Sequence, residues 1–350
     1  MRRALVTGAN GFVGSALCER LVQDGWTVRG AVRERPERDT RPSTFPPLQR
    51  GDRGDLLLAR NPETPVPPGG AETVTVGLLG GDTEWGDAVK GVQTVVHLAA
   101  RVHVLREDSS DPLSEFRKAN VEGTARLARE AAAAGVRRFI FLSTIGVHGN
   151  RTLPGAPFRE NDPASPHNDY SLSKWEAEEE LRRLSREVAM ETVIVRAPLV
   201  YGPAAPGNFR TLLDLVHRKV PLPLGAVRNE RSFLYLQNLV AALALCAEHP
   251  AAAGKTYLVS DDDATSTVAL VQTLAAALRT SPRIFPVPVP LLRVTGEILG
   301  KGSAVAGLVD SLTVDSSAIR SDLGWCPPCT MEEGVRETAA WYLGHARRTS

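Results

Sequence analysis

Tyr170 and Lys174 stand four residues apart in "YSLSK". On a helix, that spacing stacks two side chains on one face. A phenol ordinarily titrates near ~10, too high for proton transfer at neutral pH. An ammonium one turn away, joined by the positive charge of an oxidised nicotinamide, would lower that value and make Tyr170 a working acid/base. Such a pair also arises by chance, so it needs company. "FLSTIGVHG" (141–149) is an apolar run that ends in Ser143 and Thr144. A hydroxyl at the end of a strand can donate to a substrate carbonyl oxygen as charge develops on it.

A second stretch points to phosphate. "VTGANGFVG" (6–14) carries Gly8, Gly11 and Gly14, three apart each time. The more familiar dinucleotide fingerprint has its first two glycines separated by one residue. With a strand ending at Thr7 and a helix starting near Phe12 and Val13, Gly8 can adopt a backbone conformation closed to other residues. Gly11 lets the main chain approach a pyrophosphate, and Gly14 lets the helix pack on the strands. The free N–H groups of the helix start attract the anion. An acid about 20 residues further on would accept hydrogen bonds from a ribose 2′-hydroxyl and select NAD. In "GAVRER" that place is Val32, followed by Arg33 and Arg35. A guanidinium pairs with a 2′-phosphate, so NADP is favoured over NAD; the bland alternative is that Arg33 opens a solvated loop.

These residues need a scaffold that brings strand ends to one edge. Strand-like runs at 3–7, 27–32, 73–79, 94–100, 138–143 and 192–197 alternate with helix-like runs, among them 112–134, ended by Gly135, and roughly 169–189. That alternation predicts an α/β fold, a doubly wound parallel sheet covered on both faces. Residues 1–200 read as a Rossmann domain that binds NAD(P). Residues 201–345 read mainly as a smaller substrate-binding lobe, with helices near 237–248 and 266–279 and some segments returning to the first domain. The proline- and arginine-rich stretch 34–70 interrupts the rhythm and reads as a long, mobile surface insertion, or a lid.

Composition narrows the partners. A net charge of +1 gives no reason to expect nucleic acid or an anionic surface, and 43% hydrophobic with 23% charged residues is an ordinary soluble mix. No apolar run reaches the ~18 residues of a membrane span, and the chain start reads as a first strand rather than a leader, so a cytoplasmic protein is expected. Cys18 and Cys246 fall in apolar helical patterns, as core residues. "CPPC" (326–329) lacks further ligands for zinc and the setting of a redox site, so a turn is expected there, with metal and redox roles as alternatives.

The glycine turn, the strand-end Ser/Thr, the Tyr-x-x-x-Lys and "RAPLVYGP" (196–203), taken together, resemble the extended short-chain dehydrogenase/reductases, the NAD(P)-dependent nucleotide-sugar epimerases and dehydratases. The resemblance covers nearly the whole chain outside 34–70. It implies that Thr144 binds the substrate oxygen with Ser143 in support, that Tyr170 is the acid/base, and that Lys174 lowers its pKa and holds the nicotinamide ribose. It also implies that Asp82 lies near the adenine, that Leu98, Ala99 and Ala100 of "HLAA" line the cofactor, that Asn120 steadies the site, and that Pro198 opens the loop near the nicotinamide. Arg231 in "NERSF" matches a diphosphate-binding arginine and Asn208 in "GNF" a further donor, with Arg228 a weaker candidate. A homodimer through the helices near 112–134 and 169–189 is implied too.

Family members differ in the step after hydride transfer. The 4,6-dehydratases have an acidic pair after the strand-end threonine, and here Ile145 and Gly146 take those places. What remains is a 4-ketosugar reductase, favoured by Val32 and Arg33, or a 4-epimerase acting on a UDP-sugar of polysaccharide biosynthesis. "VHG" where "VYG" is usual, and Gln237-Asn238 where an acid is usual, leave the sugar open. A ketoreductase acting on a flavonoid-, steroid- or polyketide-like carbonyl keeps the same chemistry. A non-enzymatic NADP sensor would be expected to lack the tyrosine.

Overall fold

A computed structural model describes residues 2–33, 70–102, 111–261 and 264–346. The stretch read as an insertion at 34–70 lies outside these residues except for Gly70, as does Arg35. Nine strands are present among the described residues: β1 (Arg3–Thr7), β2 (Thr27–Arg33), β3 (Glu72–Val76), β4 (Thr94–His97), β5 (Arg138–Thr144), β6 (Glu191–Ala197), β7 (Leu199–Tyr201), β8 (Phe233–Tyr235) and β9 (Thr256–Leu258). Seven form one sheet in the order β3-β2-β1-β4-β5-β6-β9, with every pairing parallel. β7 and β8 form a separate parallel pair. The fold is therefore the doubly wound α/β sheet that the alternation predicts.

The strands are runs of Val, Ile and Phe because helices cover both faces and leave no polar side to alternate with. β5 and β6 carry Phe139, Ile140, Phe141, Val193, Ile194 and Val195, all at 2% exposure or less. The Phe12–Gln23 helix packs on the Leu236–Glu248 helix, and the latter lies against β4, β5 and β6. Arg138, fully buried at the start of β5, donates to the carbonyls of Cys246 and His249 at the C-terminal end of that second helix (2.7 and 2.9 Å) and pairs with Glu191. The lone pairs left over at a helix end suit a cation.

Two expected strands are shorter than their apolar runs. β3 stops at Val76, where the glycines of "GLLGG" begin, and β4 stops at His97, where the chain turns into the site. β9 is a strand that the sequence does not announce, because three residues are too few to show a period. The expected helix over 112–134 runs without a break but changes type: Pro112–Phe116, a π-helical turn at Arg117–Glu122, then Gly123–Ala133, with Gly135 at φ +79° just beyond. Single π-turns recur at functional sites, and this one carries Asn120.

A second apolar core gathers the Asn208–His217 and Thr267–Ala277 helices with Tyr201, Phe233, Tyr235, Val335 and Ala339. Cys18 and Cys246 are buried in the first core, as expected. Cys326 and Cys329 are free thiols, and among the described residues no cluster could hold a metal. Asn238 fastens this turn, exchanging hydrogen bonds with the Cys329 backbone at 3.0 and 2.8 Å.

Candidate active site

The strand order reverses between β1 and β4, so a crevice opens at their carboxyl ends, the place where such sheets bind ligands. The glycine turn stands there. Gly8 has φ +67°, and a Cβ on it would come within 3.2 Å of the Ala99 backbone. At Gly14 a Cβ would fall 2.1 Å from the Gly8 carbonyl oxygen, so no other residue fits. The Gly8 carbonyl accepts from Gly11 N–H at 2.9 Å, and Gly11 caps the Phe12–Gln23 helix with no side chain. The helix start therefore presents bare N–H groups across a floor of backbone, which fits a dinucleotide pyrophosphate.

A directed chain of hydrogen bonds holds this floor. Thr7 Oγ1 accepts from the N–H groups of Leu98 and Ala99, both at 3.1 Å, so its own proton goes to His97 Nδ1 at 2.7 Å. His97 Nε2 then donates to Thr124 Oγ1 at 3.0 Å, and Thr124 donates to the Asn120 carbonyl at 2.6 Å. That directionality requires a neutral imidazole. Burial, aided by the Lys174 charge, takes His97 down to about 3. The Asn120 side chain joins the Arg101 backbone (2.7 and 3.0 Å) to Ser173 (2.9 Å), and Ser173 donates to the Tyr170 carbonyl at 2.8 Å. Asn120 thus ties the segment after β4 to the helix that carries Tyr170 and Lys174.

That helix spans Asp169–Glu187 and starts with a capping box between Asn168 and Ser171. The cap places Tyr170 in the first turn and Lys174 one turn later. The ring of Tyr170 meets Phe116 edge-on at 6.3 Å, and Lys174 Nζ lies 3.7 Å above the Phe141 ring, which itself stacks on His97. Through Phe141 and His97, Lys174 connects to Thr7, the last residue of β1 before the glycine turn. Gly146, two residues beyond Thr144, abuts Ser171: a Cβ there would lie 3.2 Å from Ser171 Cβ and 3.4 Å from Thr144 Oγ1. Thr144 Oγ1 accepts from Gly146 N–H at 3.1 Å, which keeps the hydroxyl's own proton available for donation.

Titration departs from the expected pattern. Burial pushes the Tyr170 phenol up to about 12 rather than down. Burial also brings Lys174 down to about 7, against the pull of Glu178. Desolvation sets the direction for the phenol, and the positive charge of an oxidised nicotinamide would act against it.

Three residues of this site escape the sequence reading. Glu178, one turn beyond Lys174, is fully buried and forms an ion pair with Arg196 of β6, at 3.0 and 2.5 Å. Arg196 also reaches His148 Nε2 at 2.7 Å. Ser143 donates to Glu178 at 2.5 Å, so its hydroxyl faces this pair and not a substrate. Desolvation works to raise the Glu178 carboxyl, but hydrogen bonds and charge from Arg196, with Ser143 and Arg182, hold it below the usual range. An acid beside Ala177 and Leu181 on the apolar face of the helix is the available signal. Glu178→Ala would leave a buried guanidinium unpaired, and a loss of about 3–5 kcal/mol in urea unfolding is expected. Because the folded-state pKa is lowered, this stabilisation is complete above the ordinary carboxylate range and is lost as pH falls through the folded value. The deficit of Glu178→Gln against wild type should therefore shrink on acidification.

Pro198 is buried just past β6. Val32 packs partly into the first core, and Arg33 is exposed at the end of β2. Asp82 is exposed in the turn after β3, near Gly80 and Lys118. Asn208 is exposed in the first turn of its helix. Arg231 is half-buried and donates to the Asp310 carbonyl at 2.8 Å, and Arg228 donates to Gly225 and Val227 carbonyls. The described contacts of Arg231 run to residues of the C-terminal half rather than to Tyr170.

Fold and site together define a Rossmann oxidoreductase of the Tyr-x-x-x-Lys type. Residues 4–260 match the NAD dependent epimerase/dehydratase family, and the chain belongs to it. It is 38% identical over 341 residues to UDP-glucose 4-epimerase of Vibrio cholerae, covering 97% of this chain and 95% of that one. It is 26% identical to the N-acetyl-alpha-D-glucosaminyl-diphospho-ditrans,octacis-undecaprenol 4-epimerase of Escherichia coli O157:H7, covering 98% and 96%. Its structure is similar to that of a short-chain dehydrogenase/reductase superfamily protein from Agrobacterium tumefaciens with bound NAD, with a TM-score of 0.70, 25% identity and 99% of each chain covered. The protein is an NAD-dependent enzyme of this family. No helix among the described residues is long and apolar enough to cross a membrane.

Proposed function

We propose that the protein is a 4-epimerase of UDP-hexoses or UDP-N-acetylhexosamines that keeps its NAD between half-reactions. The observation that carries this is the Thr144–Gly146 turn. Its hydroxyl has a proton to donate, and Ile145 and Gly146 place no acid to expel a neighbouring substituent. Hydride exchange at one carbon is then the whole reaction. Val32 and Arg33 alone put a 4-ketosugar reductase first; the identity to a UDP-glucose 4-epimerase over nearly the full chain supports the epimerase instead.

In this reading Gly8, Gly11, Phe12, Val13 and Gly14 hold the pyrophosphate, and Leu98, Ala99, Ala100 and Pro198 line the nicotinamide side. Arg33 and Asp82 lie toward the adenosine. The bound nicotinamide supplies a hydride acceptor. Tyr170 takes and returns the proton of the C4 hydroxyl, Thr144 donates to the same oxygen, and Lys174 holds the ribose beside them. Arg231 and Asn208 hold the sugar's diphosphate. A homodimer through the helices at 112–133 and Asp169–Glu187 belongs to the same reading.

The test offers purified protein UDP-glucose and UDP-N-acetylglucosamine with NAD and, separately, UDP-4-keto-6-deoxy sugars with NADPH. Inversion at C4 without net change in nicotinamide absorbance is expected; steady NADPH consumption only with the keto sugars would replace the reading with a reductase.

The exposed Arg33 favours that second reading, since an arginine there pairs with a 2′-phosphate. Val32→Asp is expected to raise the preference for NAD over NADP by ~tenfold or more, read as the ratio of the two dissociation constants. An unchanged ratio would remove Val32 and Arg33 from cofactor selection.

A further inference from the structure

Tyr170, Lys174 and Glu178 follow one another at intervals of four on the Asp169–Glu187 helix, so the three share one face. The Glu178 carboxylate is fully buried and accepts four hydrogen bonds, which fills it. Oε1 accepts from Ser143 Oγ at 2.5 Å and Arg196 Nε at 3.0 Å; Oε2 accepts from Arg196 Nη2 at 2.5 Å and Arg182 Nη2 at 2.9 Å. Ser143 and Arg196 lie opposite each other in the β5–β6 register, and the next pair is Thr144 with Ala197, the last residues of the two strands. One carboxylate therefore clamps both strands one residue before they leave the sheet, Thr144 toward the Ile145–Val147 turn and Ala197 toward Pro198.

Stability alone is a poor reason for a buried ion pair, since apolar side chains of the same volume often serve as well. Its place in the fold offers a better one. Lys174 Nζ rests 3.7 Å above the Phe141 ring, and burial works against its charge; Glu178 is the acid that offsets this. Among the described residues, the other titratable groups around the lysine are Tyr170 on its own helix, the neutral His97 on β4, and Arg196 on β6, beyond Glu178. His148, after the Ile145–Val147 turn, accepts from Arg196 at 2.7 Å. The pairs Arg117–Glu176 and Arg129–Glu180 tie the helix to the 112–133 run on more exposed ground.

We propose that Glu178 is a positioning residue for the reaction: it locks the helix that bears Tyr170 and Lys174 to the strand end that bears Thr144, and it supplies the counter-charge of the lysine. This rests on the reading that those three residues handle the proton and the cofactor ribose, and not on which sugar they serve. Thr144 and Tyr170 act on one substrate oxygen, so a displacement of ~1 Å between strand and helix lowers the rate by on the order of 10²-fold.

The test compares wild type with Glu178→Gln and with the double variant Glu178→Met, Arg196→Met. The double variant removes both charges together, so no guanidinium is left buried without its acid, and its thermal midpoint is expected to lie nearer wild type than that of Glu178→Gln. The first readout needs no substrate. Protein labelled with 13C at the lysine ε-carbon has six lysines to resolve, and Lys174→Arg assigns the one in question. The NMR titration midpoint of Lys174 is expected to fall by about one pH unit in Glu178→Gln, and to fall in the double variant too. The second readout is the kinetics of C4 inversion, or of whichever nucleotide-sugar reaction wild type performs. Both variants are expected to show kcat at least ~tenfold lower with KM within a few-fold, and the alkaline limb of the kcat–pH profile should move to lower pH with the lysine. Should Glu178→Gln not fold, the double variant carries both readouts. A stable double variant with wild-type kcat would reduce Glu178 to a core ion pair and overturn the proposal, and so would a Lys174 midpoint that moves in neither variant. Wild type that acts on no nucleotide sugar would remove the epimerase reading, and the Lys174 titration alone would then decide the proposal.

Discussion

Tyr170→Phe is expected to lower kcat by roughly 10²–10⁴-fold, the contribution of a positioned acid/base, while the protein stays folded and still binds its cofactor. The ring's edge contact with Phe116 at 6.3 Å survives the change, and so does the hydrogen bond from Ser173, which goes to the Tyr170 main chain. Only the hydroxyl is lost. Burial raises the pKa of that hydroxyl and brings Lys174 to about 7, so the lysine is poised to change charge near neutrality. The comparison needs kcat, the thermal midpoint and the cofactor dissociation constant of both proteins. A kcat within a few-fold of wild type would mean that the proton travels by another group. A kcat loss accompanied by an equal loss of cofactor binding would move Tyr170 from chemistry to cofactor positioning.

Gly14→Ala is expected to disable the site from the other side. The new methyl would meet the Gly8 carbonyl oxygen at 2.1 Å, the Gly8 carbonyl carbon at 2.8 Å and Ala9 Cα at 2.9 Å. All three belong to main chain, so no side chain can rotate away, and the turn must open. A destabilisation of about 1–3 kcal/mol is expected from the overpacking. Displacement of the turn's N–H groups should weaken cofactor binding by ~10–100-fold. Gly86→Ala is the control: nothing lies within 4 Å of a Cβ there, and its backbone is in an ordinary conformation, so a change within about 0.5 kcal/mol is expected. Calorimetric titration with NAD and urea unfolding measure both. Wild-type affinity in Gly14→Ala would separate the turn from cofactor binding.

Much of the fold and site is legible in the chain because the informative features are local. Strand-long runs such as "TVIVRA" announce burial on both faces by their lack of alternation, and Gly135 marks a helix end by its own backbone freedom. The glycine spacing, the strand-end Thr144 and the i, i+4 pair each lie within one short segment. The features that stay hidden are set by contacts across the fold. Nothing near Ser143 says that its hydroxyl turns toward Glu178, because the acid comes from a helix 35 residues later and its counter-ion from β6. The upward push on Tyr170 has the same origin: spacing shows which groups are close, but not how much water their neighbours exclude. Asp82 is placed by its motif alone: β3 ends at Val76, and the carboxylate stands exposed six residues further on.

The central claim is that one tyrosine, one lysine and one threonine at the carboxyl edge of a dinucleotide-binding sheet exchange hydride at a single sugar carbon. UDP-glucose carrying deuterium at C4, incubated with the NAD-loaded enzyme and monitored by proton NMR, tests it most directly. The account predicts that UDP-galactose forms with the deuterium still at C4 and none lost to solvent. Inversion with the label exchanged into water, or no inversion of any UDP-sugar by enzyme that has bound its cofactor, would contradict it.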